Sequence, residues 1–129
     1  MWPPEVEQVA AFLREATAEA RLEELALAED TFPGPGVRVY AFDCDGRRVV
    51  TLVPEGRQVD SAKLGSLNPR PIVPPAFPFD DADVRIDRSL LGERIIWIHA
   101  GSPRHVAGMT PTQLSRILRA SPADVVAEL

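Results

Sequence analysis

The sequence has one cysteine, Cys44, and only two histidines, His99 and His105, among its 129 residues. A lone cysteine excludes an intramolecular disulfide and is typical of a reducing compartment, so we expect a cytoplasmic protein. Structural zinc sites need about four cysteine or histidine ligands at set spacings, which these residues cannot supply. We therefore expect no metal, and no residue pattern indicates an organic cofactor.

Long apolar runs and an excess of positive charge are also missing. No apolar stretch approaches the roughly 20 residues of a transmembrane helix, and residues 1–12 lack the basic segment that opens a signal peptide. The formal net charge is −5. A broad nucleic-acid-binding surface would normally be basic, so we expect no DNA partner and no membrane contact. A contact with one tRNA end touches few phosphates and is compatible with this charge.

The remaining composition is that of a globular protein, with 45% hydrophobic and 26% charged residues. Its length predicts one domain over residues 1–129. Proline is frequent, at 13 residues, and concentrates at Pro33–Gly36 and between Pro69 and Pro78. Proline lacks a backbone donor and is unsuited to a paired strand, so both clusters are predicted to be loops.

The strongest local signal is a β-hairpin over residues 37–53. Val37–Phe42 alternates in polarity, with Arg38, Tyr40 and Phe42 on one face and Val37, Val39 and Ala41 on the other. Val49–Val53 is a second apolar run. Between them lies an Asp45-Gly46 pair, and glycine accepts the positive φ that a tight hairpin turn requires. The sequence therefore predicts that the two runs pair, with the turn at Cys44–Gly46.

Helices are predicted at both ends of the chain. Apolar residues spaced three and four apart indicate a helix from about Glu5, with Val6, Val9, Leu13, Ala16 and Ala20 on one face. Residues 21–25 fit either the continuation of this helix to about Ala28 or a short edge strand. Thr110-Pro111 is a typical helix start, with Leu114, Ile117 and Leu118 as the buried stripe.

The middle of the chain alternates between strands and loops. Val59–Leu64 is predicted to be a strand end followed by one helical turn, and Gly65–Asp83 a loop with apolar clusters at Ile72-Val73 and at Phe77 and Phe79. Val84–Asp87 and the apolar run Arg94–His99 are predicted strands, the second burying Trp97. Another strand starts near Val106, and Asp124–Leu129 fits a closing strand or a helical end.

Five motifs in chain order resemble the YbaK/prolyl-tRNA-synthetase-associated domains, which remove wrong amino acids from tRNA. They are the hairpin strand, Val53-Pro54-x-Gly56-x-x-Val59-Asp60, Gly65-x-x-x-Pro69, Arg88-Ser89-Leu90-Leu91 with its following strand, and Ala100-Gly101 followed by Thr110-Pro111-x-x-Leu114. The resemblance covers residues 37–129. It implies an α/β (α+β type) fold: a mixed, mostly antiparallel sheet curled towards a barrel with flanking helices.

The resemblance also implies an activity and a site. The activity is that of a free-standing deacylase that hydrolyses a mischarged small amino acid from tRNA. Arg38 stands where the family has a lysine, and backbone donors at Gly65 and Gly101 would complete the catalytic group. Tyr40, Asn68, Pro69, Ser102 and His105 would bind the substrate. The implied partners are the acceptor end of a mischarged tRNA and an aminoacyl-tRNA synthetase.

Two alternatives stay open at this point. The first concerns alignment, because residues 67–75 can instead be matched to a segment preceding the glycine loop, which then has no counterpart. The second concerns function, because the exchange of lysine for Arg38 and the shortened segments also fit a non-catalytic module. Such a module would bind a tRNA end, a synthetase or a small molecule.

Overall fold

The structure is a computed structural model that describes residues 2–27 and 31–128. Neither of the helices in these ranges is long and apolar enough to cross a membrane. The helices are α1 (Pro4–Glu15) and α2 (Pro111–Leu118). The strands are β1 (Arg21–Glu24), β2 (Val37–Cys44), β3 (Arg47–Pro54), β4 (Pro69–Ile72), β5 (Asp83–Asp87), β6 (Ile96–Ser102), β7 (His105–Met109) and β8 (Ser121–Ala123). Short 3-10 turns lie at Ser61–Leu64 and Arg88–Gly92.

The strands form two sheets that do not close into a barrel within the described residues. One sheet has five strands in the order β4-β2-β3-β5-β8, and the other has three in the order β1-β7-β6. The β3–β5 and β5–β8 pairs are parallel, whereas the other strand pairs are antiparallel. The amide of Trp97 donates to the carbonyl of Pro35 at 2.9 Å, which links the sheets. The mixed, mostly antiparallel architecture is confirmed, but it is divided between two sheets.

The central hairpin has the predicted register. Val37 is opposite Pro54 and Cys44 is opposite Arg47. Asp45 and Gly46 have φ values of 56° and 85°, which is the conformation that matches the twist of the flanking strands. The Asp43 carboxylate accepts a hydrogen bond from the Gly46 amide at 2.8 Å. The two turn residues and this side-chain acceptor therefore fix the hairpin locally.

Helix α1 ends earlier than its apolar periodicity suggests. Thr17 has a φ of 50°, and the amides of Thr17 and Ala18 donate to the carbonyls of Arg14 and Leu13 at 3.0 Å. This is a Schellman ending, in which glycine is the usual left-handed residue. Threonine gives no such signal, so the sequence alone could not decide. The structure resolves the alternative in favour of a strand at Arg21–Glu24; Ala28 lies outside the described residues.

The prediction that Gly65–Asp83 is entirely loop was wrong at Pro69–Ile72. This segment pairs with β2, with Pro71 opposite Phe42 and Pro69 opposite Cys44. It is the edge strand of its sheet. Because the two prolines are two residues apart, both lack a donor on the same side of the strand. Proline is tolerated at a sheet edge for this reason.

Most of the other predicted elements are confirmed with shifted bounds. Strand β6 begins at Ile96, two residues later than expected, and α2 has Thr110 as its N-cap, whose hydroxyl accepts from the Gln113 amide at 3.2 Å. The prediction of a closing strand or helical end at residues 124–129 was wrong over 124–128, because the last strand is Ser121–Ala123. Val126 forms only an isolated bridge with Val59, and Leu129 lies outside the described residues.

The C-terminal segment is held by the buried carboxylate of Asp87. Its oxygens accept hydrogen bonds from the Val125 amide at 3.0 Å, from the Ser89 amide at 3.1 Å and from the Ser89 hydroxyl. Burial alone would raise the pKa of Asp87, but these hydrogen bonds outweigh it and lower the pKa from its ordinary 3.8. The ionised form is therefore the one that stabilises the fold.

We expect Asp87→Ala to lower the free energy of unfolding by about 1–3 kcal/mol at pH 7, because buried donors lose their acceptor. A lowered pKa gives stability that is present above pH 3.8 and is lost as the pH falls through the folded-state pKa. The difference between parent and variant should therefore shrink on acidification below that value. Urea unfolding at neutral pH and at about pH 3 measures both effects, and a difference that grows in acid would contradict the assignment.

Candidate functional site

A cavity of about 430 Å³ lies between α1, β2, β6 and the loop at residues 74–79. Its walls are mostly apolar and include Val9, Val37, Val39, Phe77, Phe79 and Ile98. Its polar groups come from Glu5, Gln8, Arg38, His99, Gly101 and Ser102. An apolar cavity of this size with a few converging polar groups is typical of a small-molecule site.

Arg38 lies on this cavity and is held by two contacts. Its guanidinium is 2.8 Å from the Glu55 carboxylate, and it lies 5.4 Å from the centre of the Phe32 ring. The ion pair follows from strand register, because Arg38 is opposite Val53 and Glu55 is two residues further along the same face. Both side chains keep more than a third of their surface exposed. The guanidinium is therefore oriented and still accessible.

His99 is a second polar group of the cavity. From the sequence alone, His99 is considered only as a zinc ligand, and one cysteine and two histidines are too few for a zinc site. Burial first, and then the positive charge of Arg38, lower the pKa of His99. The backbone of Ser102 and His105 and the Glu55 carboxylate act in the opposite direction. The Nδ1 atom of His99 is buried, and within the described residues it has no hydrogen-bond partner. The lowered pKa favours the neutral imidazole of His99, whose ring lines the cavity while its Nδ1 atom is buried.

Gly101 shapes the cavity through its backbone. It has a φ of 96°, and a Cβ atom added there would lie 2.7 Å from the carbonyl oxygen of Glu5. Only glycine accepts both this conformation and this close approach. The first turn of α1 therefore packs directly on β6, which brings Glu5 and Gln8 to the cavity.

The Gly65–Pro69 loop does not contribute to this cavity, contrary to expectation. Gly65 ends a 3-10 turn, the Ser66 hydroxyl donates to Asp45 at 3.0 Å, and Pro69 begins β4. Gly65, Asn68 and Pro69 thus lie near the hairpin turn, and none of them lines the cavity. The motif indicated a loop correctly but not its place in three dimensions.

The loop at the cavity is instead formed by residues 74–79, which the sequence did not assign to the site. The Phe77 ring packs edge-on against Phe12 at 5.7 Å and against Phe79 at 5.6 Å. The Phe79 amide donates to the Ala76 carbonyl at 2.8 Å. The available signal was the apolar pair Phe77 and Phe79 in a proline-rich loop, because aromatic residues in such a loop need something to pack against.

Tyr40 lines a neighbouring cavity rather than the first one. This second cavity has a volume of about 320 Å³ and shares Val39 and Pro74 with the first. The Tyr40 side chain is exposed. It could therefore contact a group that extends from one cavity to the next.

Ser102 and His105 lie together beside the first cavity. Ser102 lines it, whereas His105 is only 4% exposed and does not. The Ser102 hydroxyl is 2.6 Å from His105 Nδ1. Of the residues that the sequence assigned to the site, the structure thus brings Arg38, Gly101 and Ser102 to one cavity and places His105 directly behind Ser102.

Solved structures share this fold. A proposed trans-editing enzyme for prolyl-tRNA synthetase superposes with a TM-score of 0.86 at 20% identity, covering 99% of this chain and 100% of that one. A scaffold protein from epitope backbone grafting gives a TM-score of 0.82 at 20% identity, with coverage of 99% and 100%. A proposed signal transduction protein from Marinobacter aquaeolei gives 0.70 at 16% identity, where 99% of this chain matches 31% of that one. No family model and no curated protein matches the sequence.

The comparisons define the class of the protein as an α+β fold, here a three-stranded antiparallel sheet and a five-stranded mixed sheet with flanking helices. More particularly, the chain has the YbaK-like fold that its motifs indicated. At 20% identity the likeness concerns the fold.

Proposed function

We propose that this chain is a free-standing aminoacyl-tRNA deacylase that hydrolyses a small mischarged amino acid from tRNA. The observation that carries the proposal is the cavity, which places an accessible guanidinium and a neutral histidine over apolar walls. The same fold in a proposed trans-editing enzyme for prolyl-tRNA synthetase supports it. A chain of this kind would act in the cytoplasm on tRNA that a synthetase has charged wrongly.

The polar groups of the cavity suit the parts of an aminoacyl ester. Arg38 would bind a phosphate of the terminal nucleotide or the ester carbonyl, because a guanidinium offers forked donors and keeps its charge. The Glu5 carboxylate would attract the α-ammonium group, and the His99 ring would form part of the cavity wall. The backbone N–H donors at Gly101 would face the developing oxyanion.

Specificity in this proposal comes from the size of the cavity. The apolar walls would accept a small side chain and exclude a larger cognate one, which is a steric form of editing. Tyr40, in the neighbouring cavity, would stack on the terminal base. No metal or organic cofactor takes part in the proposed reaction.

A non-catalytic binding module is the second candidate, and one observation favours it. Arg38 is paired with Glu55 at 2.8 Å, so part of its donor capacity is already used. Such a module would bind a tRNA end, a synthetase or a small molecule in the same cavity without hydrolysis.

A deacylation assay separates the two candidates. Purified protein would be incubated with tRNAs charged with radiolabelled alanine, cysteine, serine, threonine or proline, and the ester remaining would be followed with time. Turnover of at least one ester above the buffer rate supports the enzyme. Binding of an uncharged acceptor stem without turnover of any ester supports the module and contradicts the deacylase.

We expect tRNA binding to be weak and to depend only shallowly on salt, because the net charge of −5 allows few phosphate contacts. With about one to three phosphates of a single-stranded end engaged, the slope of log K against log salt should lie near −0.7 to −2. Fluorescence anisotropy with a labelled acceptor-stem RNA from about 50 to 300 mM salt measures it. Tight binding that persists at high salt would contradict the prediction.

A further inference from the structure

We infer that Ser102 is the nucleophile of the deacylase, with His105 as its base and Glu24 as the charge that favours the reactive tautomer of His105. This inference rests on the proposed function for its substrate, an aminoacyl ester, but its central test does not. It adds a covalent step to a site that the other cavity residues would only shape and polarise.

The serine and the histidine are brought together by the β6–β7 hairpin. Ser102 and His105 are register partners on either side of the two-residue turn Pro103-Arg104. The Ser102 hydroxyl is 2.6 Å from His105 Nδ1, and it accepts a hydrogen bond from the Arg104 amide at 3.1 Å. In the tautomer of His105 that carries its proton on Nε2, the Ser102 hydroxyl donates to Nδ1 and accepts from the Arg104 amide, which leaves its other lone pair for attack. Ser102 lines the cavity, so this lone pair can meet a ligand.

The carboxylate comes from the neighbouring strand. Glu24 is the register partner of His105 in the β1–β7 pair, and its carboxylate is 3.1 Å from His105 Nε2. His105 Nε2 has no hydrogen-bond partner within the described residues, so Glu24 acts on it as a charge at ion-pair distance. It favours the tautomer with the proton on Nε2, which leaves Nδ1 as the acceptor.

Burial holds the imidazole in this position. His105 is 4% exposed, and the Trp2 ring packs edge-on to it at 5.7 Å. Serine nucleophiles in unrelated folds are activated by a histidine base with a carboxylate on its far side, and Ser102, His105 and Glu24 lie in this order. Turn formation alone would explain the hydrogen bond from the Arg104 amide to the Ser102 hydroxyl. A turn does not require a buried imidazole between the hydroxyl and a carboxylate.

The proposed reaction has two steps, the acylation of Ser102 and the hydrolysis of the acyl-enzyme. Ser102 Oγ attacks the ester carbonyl carbon while its proton moves to His105 Nδ1, giving a tetrahedral oxyanion. The bond to the ribose oxygen then breaks, that oxygen takes the proton from His105, and the aminoacyl group stays on Ser102. Water attacks this acyl-enzyme with its proton passing to His105, and Ser102 Oγ leaves and takes that proton back. The free amino acid and the uncharged tRNA are the products.

The central test is labelling with a fluorophosphonate probe, which reacts with activated serines and needs no tRNA. We expect intact-mass and peptide mass spectrometry to show one adduct, on Ser102, that Ser102→Ala abolishes. His105→Gln should slow labelling by at least about tenfold. Ser66→Ala is the matched control. The Ser66 hydroxyl also accepts a hydrogen bond from an amide two residues later, that of Asn68, but Ser66 lies outside the cavity. Absence of an adduct on Ser102 in the folded parent overturns the inference.

Two further measurements separate a catalytic from a structural role. Ser102→Cys keeps a nucleophile if Ser102→Ala fails to fold, and iodoacetamide should alkylate the introduced thiol while the buried Cys44 stays unmodified; no alkylation there counts against the inference. On a charged tRNA that the parent hydrolyses, Glu24→Gln should lower kcat with KM unchanged, because Glu24 does not line the cavity.

The outcomes distinguish this inference from the proposed function. If the parent hydrolyses a charged tRNA and Ser102→Ala does so equally well, the deacylase stands and the nucleophile is refuted. If Ser102 is labelled but no charged tRNA is hydrolysed, the activated serine stands and the proposed tRNA substrate is wrong.

Discussion

Arg38→Ala is expected to reduce deacylation by at least about 100-fold, as does loss of a donor to a developing oxyanion in other hydrolases. The guanidinium is the permanent cation of the cavity, and it is oriented by Glu55 at 2.8 Å and by the Phe32 ring. The fold should remain, because a partly exposed ion pair contributes only about 0–1 kcal/mol. Initial rates on a charged tRNA and a thermal unfolding midpoint measure both effects. A variant as active as the parent would exclude Arg38 from the site.

Two companion variants sharpen this expectation. Arg38→Lys should retain or raise activity, because it keeps the charge and restores the residue of the resembling family. Glu55→Gln removes the ion-pair partner and leaves Arg38 in place, so activity should persist with an equal or lower KM. A loss as large as that of Arg38→Ala would show that the ion pair, and not an available cation, is what the site needs. Inactivity of both the parent and Arg38→Lys on every charged tRNA favours the binding module.

Elements fixed by local chemistry could be predicted from the sequence. The Asp45-Gly46 turn supplies two positive φ values, and Thr110-Pro111 supplies a cap and a compatible first residue for α2. Each signal lies within a few residues of the structure that it determines. The elements that the sequence left undecided or misplaced depend on contacts with the rest of the fold. Thr17 adopts a left-handed conformation without being glycine, and the prolines of β4 are tolerated only because that strand is at the sheet edge.

The candidate site was predictable only in part, for a related reason. Arg38, Gly101 and Ser102 come to the cavity because strands β2 and β6 lie together, which the motif order indicated. The glycine motif at Gly65 was placed there by analogy alone, and its loop lies at the hairpin turn instead. The contact of His105 with Glu24 depends on the register of the β1–β7 pair, which joins residues far apart in the sequence. No local pattern in the sequence specifies such a register.

Trp97→Ala is expected to lower the free energy of unfolding by about 3–5 kcal/mol, the usual cost of truncating a large core side chain. Trp97 is 8% exposed and packs with Leu25, Phe32 and Val106. This cost is a large fraction of the roughly 5–15 kcal/mol that stabilises a typical domain. Urea unfolding followed by far-UV circular dichroism measures it without relying on tryptophan fluorescence. Ile95→Ala, at an exposed neighbouring position, is the control and should change stability by about 0.5 kcal/mol or less. A negligible effect of Trp97→Ala would show that its indole is not part of the core.

The packing of Trp97 against Gly108 allows a second, independent test of its burial. Trp97 is the register partner of Gly108, and a Cβ atom added at Gly108 would lie 2.6 Å from the indole ring. Gly108→Ala should therefore destabilise the parent by about 1–3 kcal/mol through overpacking. In the Trp97→Ala background the ring is gone, so the same substitution should cost little or nothing. The double-mutant cycle would then show a favourable coupling of about 1 kcal/mol or more between the two changes, because residues in contact are not additive. Additive effects would mean that the indole does not cover Gly108 and that the packing between β6 and β7 differs from the one described.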